Sequence, residues 1–269
     1  PVMGAFAVLL LGSRPNARET ATLLTAGLTF WHVWRLLGHI LEGERPRLEL
    51  LEIVPGVQLA FEVEPLGLLF ALVASFLWIV TSLYAIGYMR GHNEKNQTRF
   101  FFFFAIAIAG AIGVAFSANL FTLFAFYEVL TLCTFPLVTH HQTDEARRAG
   151  RVYLGVLLTT SIAFQLLAII WTWQLAGTVE FTQGGILAGT ASAGVLGAIL
   201  VLFVFGVGKA AVMPFHRWLP AAMVAPTPVS ALLHAVAVVK AGVFTILKVS
   251  VYVFGLDLLG ALAATAWLA

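Results

Sequence analysis

Apolar residues run in blocks about as long as a bilayer is thick, separated by short polar stretches. A spanning helix needs about 20 apolar residues. On that measure, helices fall at 1–12, 20–41, 65–88, 99–116, 119–139, 151–174, 192–223 and 227–252, with another beginning at 257. The first and last read as clipped, because the chain opens at Pro1 without an initiator methionine and ends at Ala269 inside the apolar run LLGALAATAWLA. PVMGAFAVLLLGSR lacks the basic leader and the A-x-A site of a signal peptide, so it reads as the end of a membrane helix. Connections are short except at 42–64, where ERPRLELLEIVPGVQLAFEVE alternates polar and apolar around Pro55-Gly56. That alternation predicts a small extramembrane hairpin. The expected fold class is all-α, a polytopic transmembrane helix bundle.

Composition agrees with this picture. The chain is 60% hydrophobic and only 10% charged, whereas charged residues make up about 25% of a globular domain. A net charge of +2, with basic residues scattered through short loops, excludes a nucleic-acid partner and leaves the lipid bilayer as the surroundings. The single cysteine, Cys133, lies in an apolar run. It rules out an intrachain disulfide framework and a cysteine-only metal site, and is expected to pack as a small hydrophobe.

Charge also orients the bundle. Arg14 and Arg18, then Arg90, Lys95 and Arg99, then Arg147, Arg148 and Arg151 occupy every second connection. The alternate connections are the acidic 42–64 stretch, the tight Ser117-Ala118-Asn119 and the segment around Glu180. By the positive-inside rule the basic connections are cytoplasmic and the amino end is outside. Arg35 and Lys248, a few turns from helix ends, are expected to snorkel to the headgroups. The FFFFF run at 100–104 and Trp31, Trp34, Trp171 and Trp173 read as lipid-facing or packing residues at an interface.

The chemistry concentrates at 203–248, FVFGVGKAAVMPFHRWLPAAMVAPTPVSALLHAVAVVKAGVFTILK. Lys209 and Lys240 sit inside hydrophobic runs, and Glu128 lies near the middle of the fifth helix. Each such charge costs roughly 2.5–3.5 kcal/mol on insertion scales and marks an ion or proton path by default. The three fall at about one depth, as a proton relay requires; a Glu128–Lys209 ion pair that only holds helices together is the structural alternative. Pro214 removes a backbone donor, and Gly206 and Gly208 weaken the turn before Lys209, so the seventh segment is expected to be broken or kinked. His234 could carry protons between the two lysines, while His140 and His141 are candidates for proton entry. GVGKA imitates a phosphate loop but has Phe203 and Ala210 where that motif needs Gly and Ser or Thr. There is no ligand set for haem, flavin or an iron–sulfur cluster; neither cofactor nor metal is expected, and any redox chemistry belongs to other subunits.

The strings VEPLGLLFALV, FYEVLTLCTFPLVTHH and GKAAVMPFHRWLPAAMVAPTPVSALLHAVAVVKAGVF, in this order over about residues 60–250, resemble the antiporter-like subunits shared by respiratory complex I, Mrp-type cation/proton antiporters and membrane-bound hydrogenases. The wording around Glu128 is nearer to the Mrp and hydrogenase-linked members. The resemblance implies that Glu128 modulates the proton affinity of Lys209 on a discontinuous seventh helix, and that His234 and Lys240 form the eighth-helix relay. It further implies the first of two inverted five-helix repeats. The chain then divides into three helices with a hairpin (1–98), a five-helix antiporter-like repeat (99–254) and the start of a truncated helix (255–269), as a fragment or a split subunit. The function so implied is proton conduction within a larger complex of membrane subunits, in a bacterial or archaeal cytoplasmic membrane, with sodium as a candidate coupling ion. A secondary transporter that binds a small solute at the broken helix, and a non-conducting scaffold, are the competing readings.

Overall fold

A computed structural model describes residues 1–262. In chain order it holds α1 (Val2–Leu10), α2 (Pro15–Leu41), β1 (Arg47–Val54), β2 (Val57–Glu62), α3 (Pro65–Gly91), α4 (Gln97–Ala115) and α5 (Leu120–Val138). Then α6 (Asp144–Thr160) runs through a π-helical turn, Ser161–Leu166, into α7 (Leu167–Ala176). The second half consists of α8 (Ala193–Gly206), short turns including α9 (Trp218–Ala221), and α10 (Thr227–Ala231) continued by a π turn into α11 (Val238–Val249). A π turn, Ser250–Phe254, and α12 (Leu256–Ala261) follow. Most of the helix expected from 257 lies outside the described residues. Pro65–Gly91, Gln97–Ala115, Leu120–Val138, Asp144–Ala176 and Thr227–Phe254 are each long and apolar enough to cross a membrane. The protein is an integral membrane protein.

Local chemistry fixes where the helices begin. Pro15 and Pro65 occupy the first helical positions of α2 and α3, where a missing N–H costs nothing. Asn119 caps α5, its side chain accepting from the Thr122 N–H at 2.8 Å. Thr143 caps α6, and Asp144 and Glu145 follow in the first turn, where the helix dipole favours negative charge. That cap starts the helix at Asp144, well before the hydropathy boundary at 151. Arg147, Arg148 and Arg151 are therefore helical and do not form a loop.

The two sets of connections gather at opposite ends of the bundle. At one end β1 and β2 pair antiparallel, from Arg47 opposite Glu62 to Val54 opposite Val57. Phe61 bridges to Ser117, and Asn119 to Glu180. The Asn119 amide donates to Gln58 O at 2.8 Å and to Glu180 Oε1 at 3.1 Å. Arg47 reaches Glu180 at 2.9 Å. At the other end Arg18 donates to Gln97 Oε1 at 2.7 Å, Arg90 to Asn16 Oδ1 at 2.6 Å, and Arg99 to the His140 carbonyl at 2.7 Å. We call these the hairpin end and the basic end.

The main core lies between them. Trp78 of α3, Tyr127 of α5, Tyr153 of α6 and Trp218 of α9 are buried together with Phe100, Phe101 and Phe104. The phenylalanine run thus packs inward, with only Phe102 and Phe103 partly exposed. Trp31, Trp34 and Arg35 do face outwards.

Candidate functional site

The seventh hydrophobic segment breaks at Lys209. α8 ends at Gly206, Val207 leaves helical geometry, Gly208–Ala210 form a single 3₁₀ turn and Ala211 is left-handed at φ +57°. The segment is wedged between two helices. A Cβ at Gly206 would run into the backbone of Gln165, in the π turn after α6, and one at Gly242 of α11 would strike the backbone of Lys209 and Ala210. Only glycine permits these approaches. The break opens at Val207, ahead of Pro214; the prolines at 214 and 220 then stop a regular helix from resuming. Trp218 Nε1 donates to the freed Gly208 carbonyl at 2.9 Å. Backbone without helical pairing at membrane depth requires such partners.

Lys209 is completely buried. Its backbone N–H donates to Tyr127 Oη at 3.0 Å, while its ammonium donates to the Tyr127 carbonyl at 2.8 Å and to Thr131 Oγ1 at 2.5 Å. The same nitrogen lies 3.1 Å from the centre of the Tyr127 ring. Tyr127 and Thr131 are four residues apart and share one face of α5. Every one of these partners is neutral. Glu128, the next residue on α5, points both carboxylate oxygens into the interior, where neither has a hydrogen-bond partner among the described residues. The two expected partners are neighbours through α5 but are not hydrogen-bonded to each other.

The remaining expected residues fall in different surroundings. His234 lies in the π turn Leu232–Val236, half-buried, with Nε2 lacking a partner among the described residues. Lys240 is exposed on the outer face of α11, so its place in a hydrophobic run does not bury it here. His140 and His141 differ from one another. His141 is exposed and lies 3.4 Å from Glu94, whereas His140 is buried with its Nε2 3.8 Å from Glu94. Burial, reinforced by the Arg99 guanidinium, pushes the His140 imidazole down to about 4. At neutral pH that ring is uncharged.

The sequence reading missed one ionised site. Lys248 does not snorkel: it is fully buried in an ion pair with Glu64 and donates to the Ser117 carbonyl at 2.5 Å. The residue count could have shown this. Six residues, 249–254, separate Lys248 from the end of its helix, about 9 Å of rise, which is beyond the reach of a lysine stem. Glu64 reads as a loop acid because it immediately precedes Pro65. Gln165, whose buried amide lacks partners among the described residues, had no distinguishing signal.

A bundle of apolar helices with a buried lysine at a helix break defines the class as a polytopic membrane protein with a discontinuous helix. Residues 117–266 match the family described as NADH:quinone oxidoreductase/Mrp antiporter, TM. Residues 55–101 match the NADH-Ubiquinone oxidoreductase (complex I), chain 5 N-terminus. The first match covers more than half of the chain, which belongs to the NADH:quinone oxidoreductase/Mrp antiporter family. Among curated relatives, the putative antiporter subunit mnhA2 of Staphylococcus haemolyticus is 29% identical over 194 residues, covering 71% of this chain and 24% of that protein. The Staphylococcus aureus protein of the same name is 29% identical over 197 residues. The chain thus spans about a quarter of the length of these relatives. The fold is shared with a chain of the Mrp complex from Dietzia sp. DQ12-45-1b (TM-score 0.80, 24% identity, 97% of this chain and 28% of that one). It is shared as well with a chain of the membrane-bound sulfane sulfur reductase, an archaeal respiratory membrane complex (TM-score 0.79, 23% identity, 93% and 39%).

Proposed function

We propose that this chain is the proton-conducting part of an antiporter-like subunit within a larger membrane complex, and that Lys209 and Glu128 carry its central proton step. The observation behind this reading is the fully buried Lys209 ammonium, held by a carbonyl, a hydroxyl and a ring face, with no carboxylate among the described residues in hydrogen-bond contact. A clamp that joined two helices through Glu128 and Lys209 would need the two charges in direct contact. Here the ammonium on the 3₁₀ turn and the Glu128 carboxylate on α5 make no direct ion pair. That arrangement favours proton loss and gain over permanent clamping. In this reading Glu128 sets the electrostatic field at Lys209, His234 and the exposed Lys240 continue the relay, and His141 with His140 and Glu94 forms the approach from the basic end. The five helical segments of residues 99–254 form one antiporter-like repeat. The relatives named as antiporter subunits support exchange against a cation, with sodium as the candidate, in a bacterial or archaeal cytoplasmic membrane.

The test is proton movement by the intact complex reconstituted in vesicles. Lys209→Ala and Glu128→Gln are expected to assemble and to lose proton translocation by at least tenfold. Full translocation by both variants refutes the reading. Transport of a small solute that survives both substitutions favours a solute carrier instead.

A further inference from the structure

We infer that Glu64 and Lys248 form a second proton-exchange site, which opens to the hairpin end through a crevice between Arg45, Glu62 and Tyr252. The inference rests on the proposed proton conduction and adds a route that the Lys209 site alone does not provide. Glu64 occupies the N-cap position of α3 and Lys248 lies just before the π turn that continues α11, so two separate elements deliver opposite charges to one buried point. The ammonium also holds the Ser117 carbonyl and lies 4.5 Å from the Phe181 ring centre, which ties in the α4–α5 connection and the segment after α7.

Such a pair is a poor stabiliser. Desolvating two ions costs about as much as their attraction returns, and apolar residues of similar volume often do as well or better. Its position suggests another use. A small crevice lined by Arg45, Glu62, Glu64, Ser117, Phe181 and Tyr252 adjoins it, and Arg45 is exposed at its mouth while Glu62 is half-buried. Carboxylates therefore lead from the surface, at Glu62, to the buried Glu64 and on to Lys248. The other charges facing this group are Arg47, 3.5 Å from Glu62, and Glu180, which Arg47 also binds. Inward, the same helix carries Gly242, packed on the Lys209 turn. Gly242 lies six positions before Lys248, about 9 Å of helix.

The exchange balances simply. Lys248 passes one proton to Glu64, leaving a neutral amine and a neutral acid in place of the ion pair. The Glu64 acid then releases that proton to water at the Glu62 mouth, and the amine is reprotonated from the interior. The reverse sequence admits one proton.

Single neutralisation leaves one buried charge unpaired and risks misfolding, so the decisive variant removes both charges: Glu64→Gln with Lys248→Gln, in the intact complex reconstituted in vesicles. The expected result is an assembled complex whose proton translocation falls tenfold or more and no longer responds to pH on the hairpin side. Glu64→Asp keeps both charges and serves as the check on folding. It should assemble, translocate with an altered pH profile, and displace a protonated-carboxyl infrared band that titrates in the wild type. Wild-type rate and pH response in the double variant overturn the inference, as does a Glu64→Asp complex with unchanged profile and infrared spectrum. Lys209→Ala is measured alongside. If it abolishes transport while the double variant runs normally, the outer site alone falls; if it and Glu128→Gln both transport normally, the proton-conducting reading falls.

Discussion

The hold on the Lys209 ammonium comes down to very few atoms. Among the described residues Thr131 supplies the one side-chain oxygen that accepts from this ammonium, at 2.5 Å, and a hydrogen bond to a charged group is worth about 1.5–3 kcal/mol. Thr131→Val keeps the shape of the residue and deletes that acceptor. We expect the complex to assemble with a lowered thermal midpoint and a proton translocation rate reduced severalfold, with Thr131→Ser restoring both. An unchanged rate in the valine variant would mean that the hydroxyl plays no part in the proton step. Lys209 and Glu128 were legible in the sequence because a charge in an apolar run stands out at any window length. Their neutral partners were not, since Tyr127 and Thr131 look like ordinary helix residues until the break is folded against α5. Lys248 is hidden for a different reason: proximity to a helix end suggests snorkelling, although six further helical residues, 249–254, lie beyond it.

At the scale of elements, the best test of what holds the hairpin end together is Asn119. Its carbonyl oxygen caps α5, and its amide joins the hairpin at Gln58 to the segment carrying Glu180. Asn119→Ala should lose about 1 kcal/mol for the cap and about 0.5–1.5 kcal/mol for the lost amide bond, since Gln58 O still accepts from Thr122 Oγ1 at 3.3 Å. Asn119→Asp keeps the cap acceptor but sets a carboxylate beside Glu180, so it should recover only part of the loss. Thermal unfolding in detergent orders the three proteins, and an alanine variant as stable as wild type would rule out this bridging role. Most helices and the hairpin were legible from hydropathy and from the alternation around Pro55-Gly56. The π turns Ser161–Leu166, Leu232–Val236 and Ser250–Phe254 were not. Winding a helix more widely for one turn leaves its apolar run intact, yet it decides where Gln165 meets Gly206 and how His234 is aimed.

For the whole molecule, the separation of charge between the two ends dictates a topology that can be tested. Arg14, Arg18, Arg90, Lys95, Arg99 and the arginines of early α6 collect at one end, while the hairpin end carries Glu49, Glu52, Glu62, Glu64 and Glu180. Contacts such as Arg18 to Gln97 and Arg47 to Glu180 tie together segments within each end. The positive-inside rule places the basic end in the cytoplasm. Cys133 is buried and should stay unlabelled by a membrane-impermeant maleimide, which makes the wild type a clean background. Leu51 on β1 and Lys95 between α3 and α4 are both exposed. In intact cells we expect Leu51→Cys to be labelled at once and Lys95→Cys only after permeabilisation. The opposite pattern would invert the orientation, and with it the side on which the Glu64–Lys248 site opens. Labelling of both positions in intact cells would break the two-ended arrangement itself, because α3, the one helix between them, could not then span the bilayer as described.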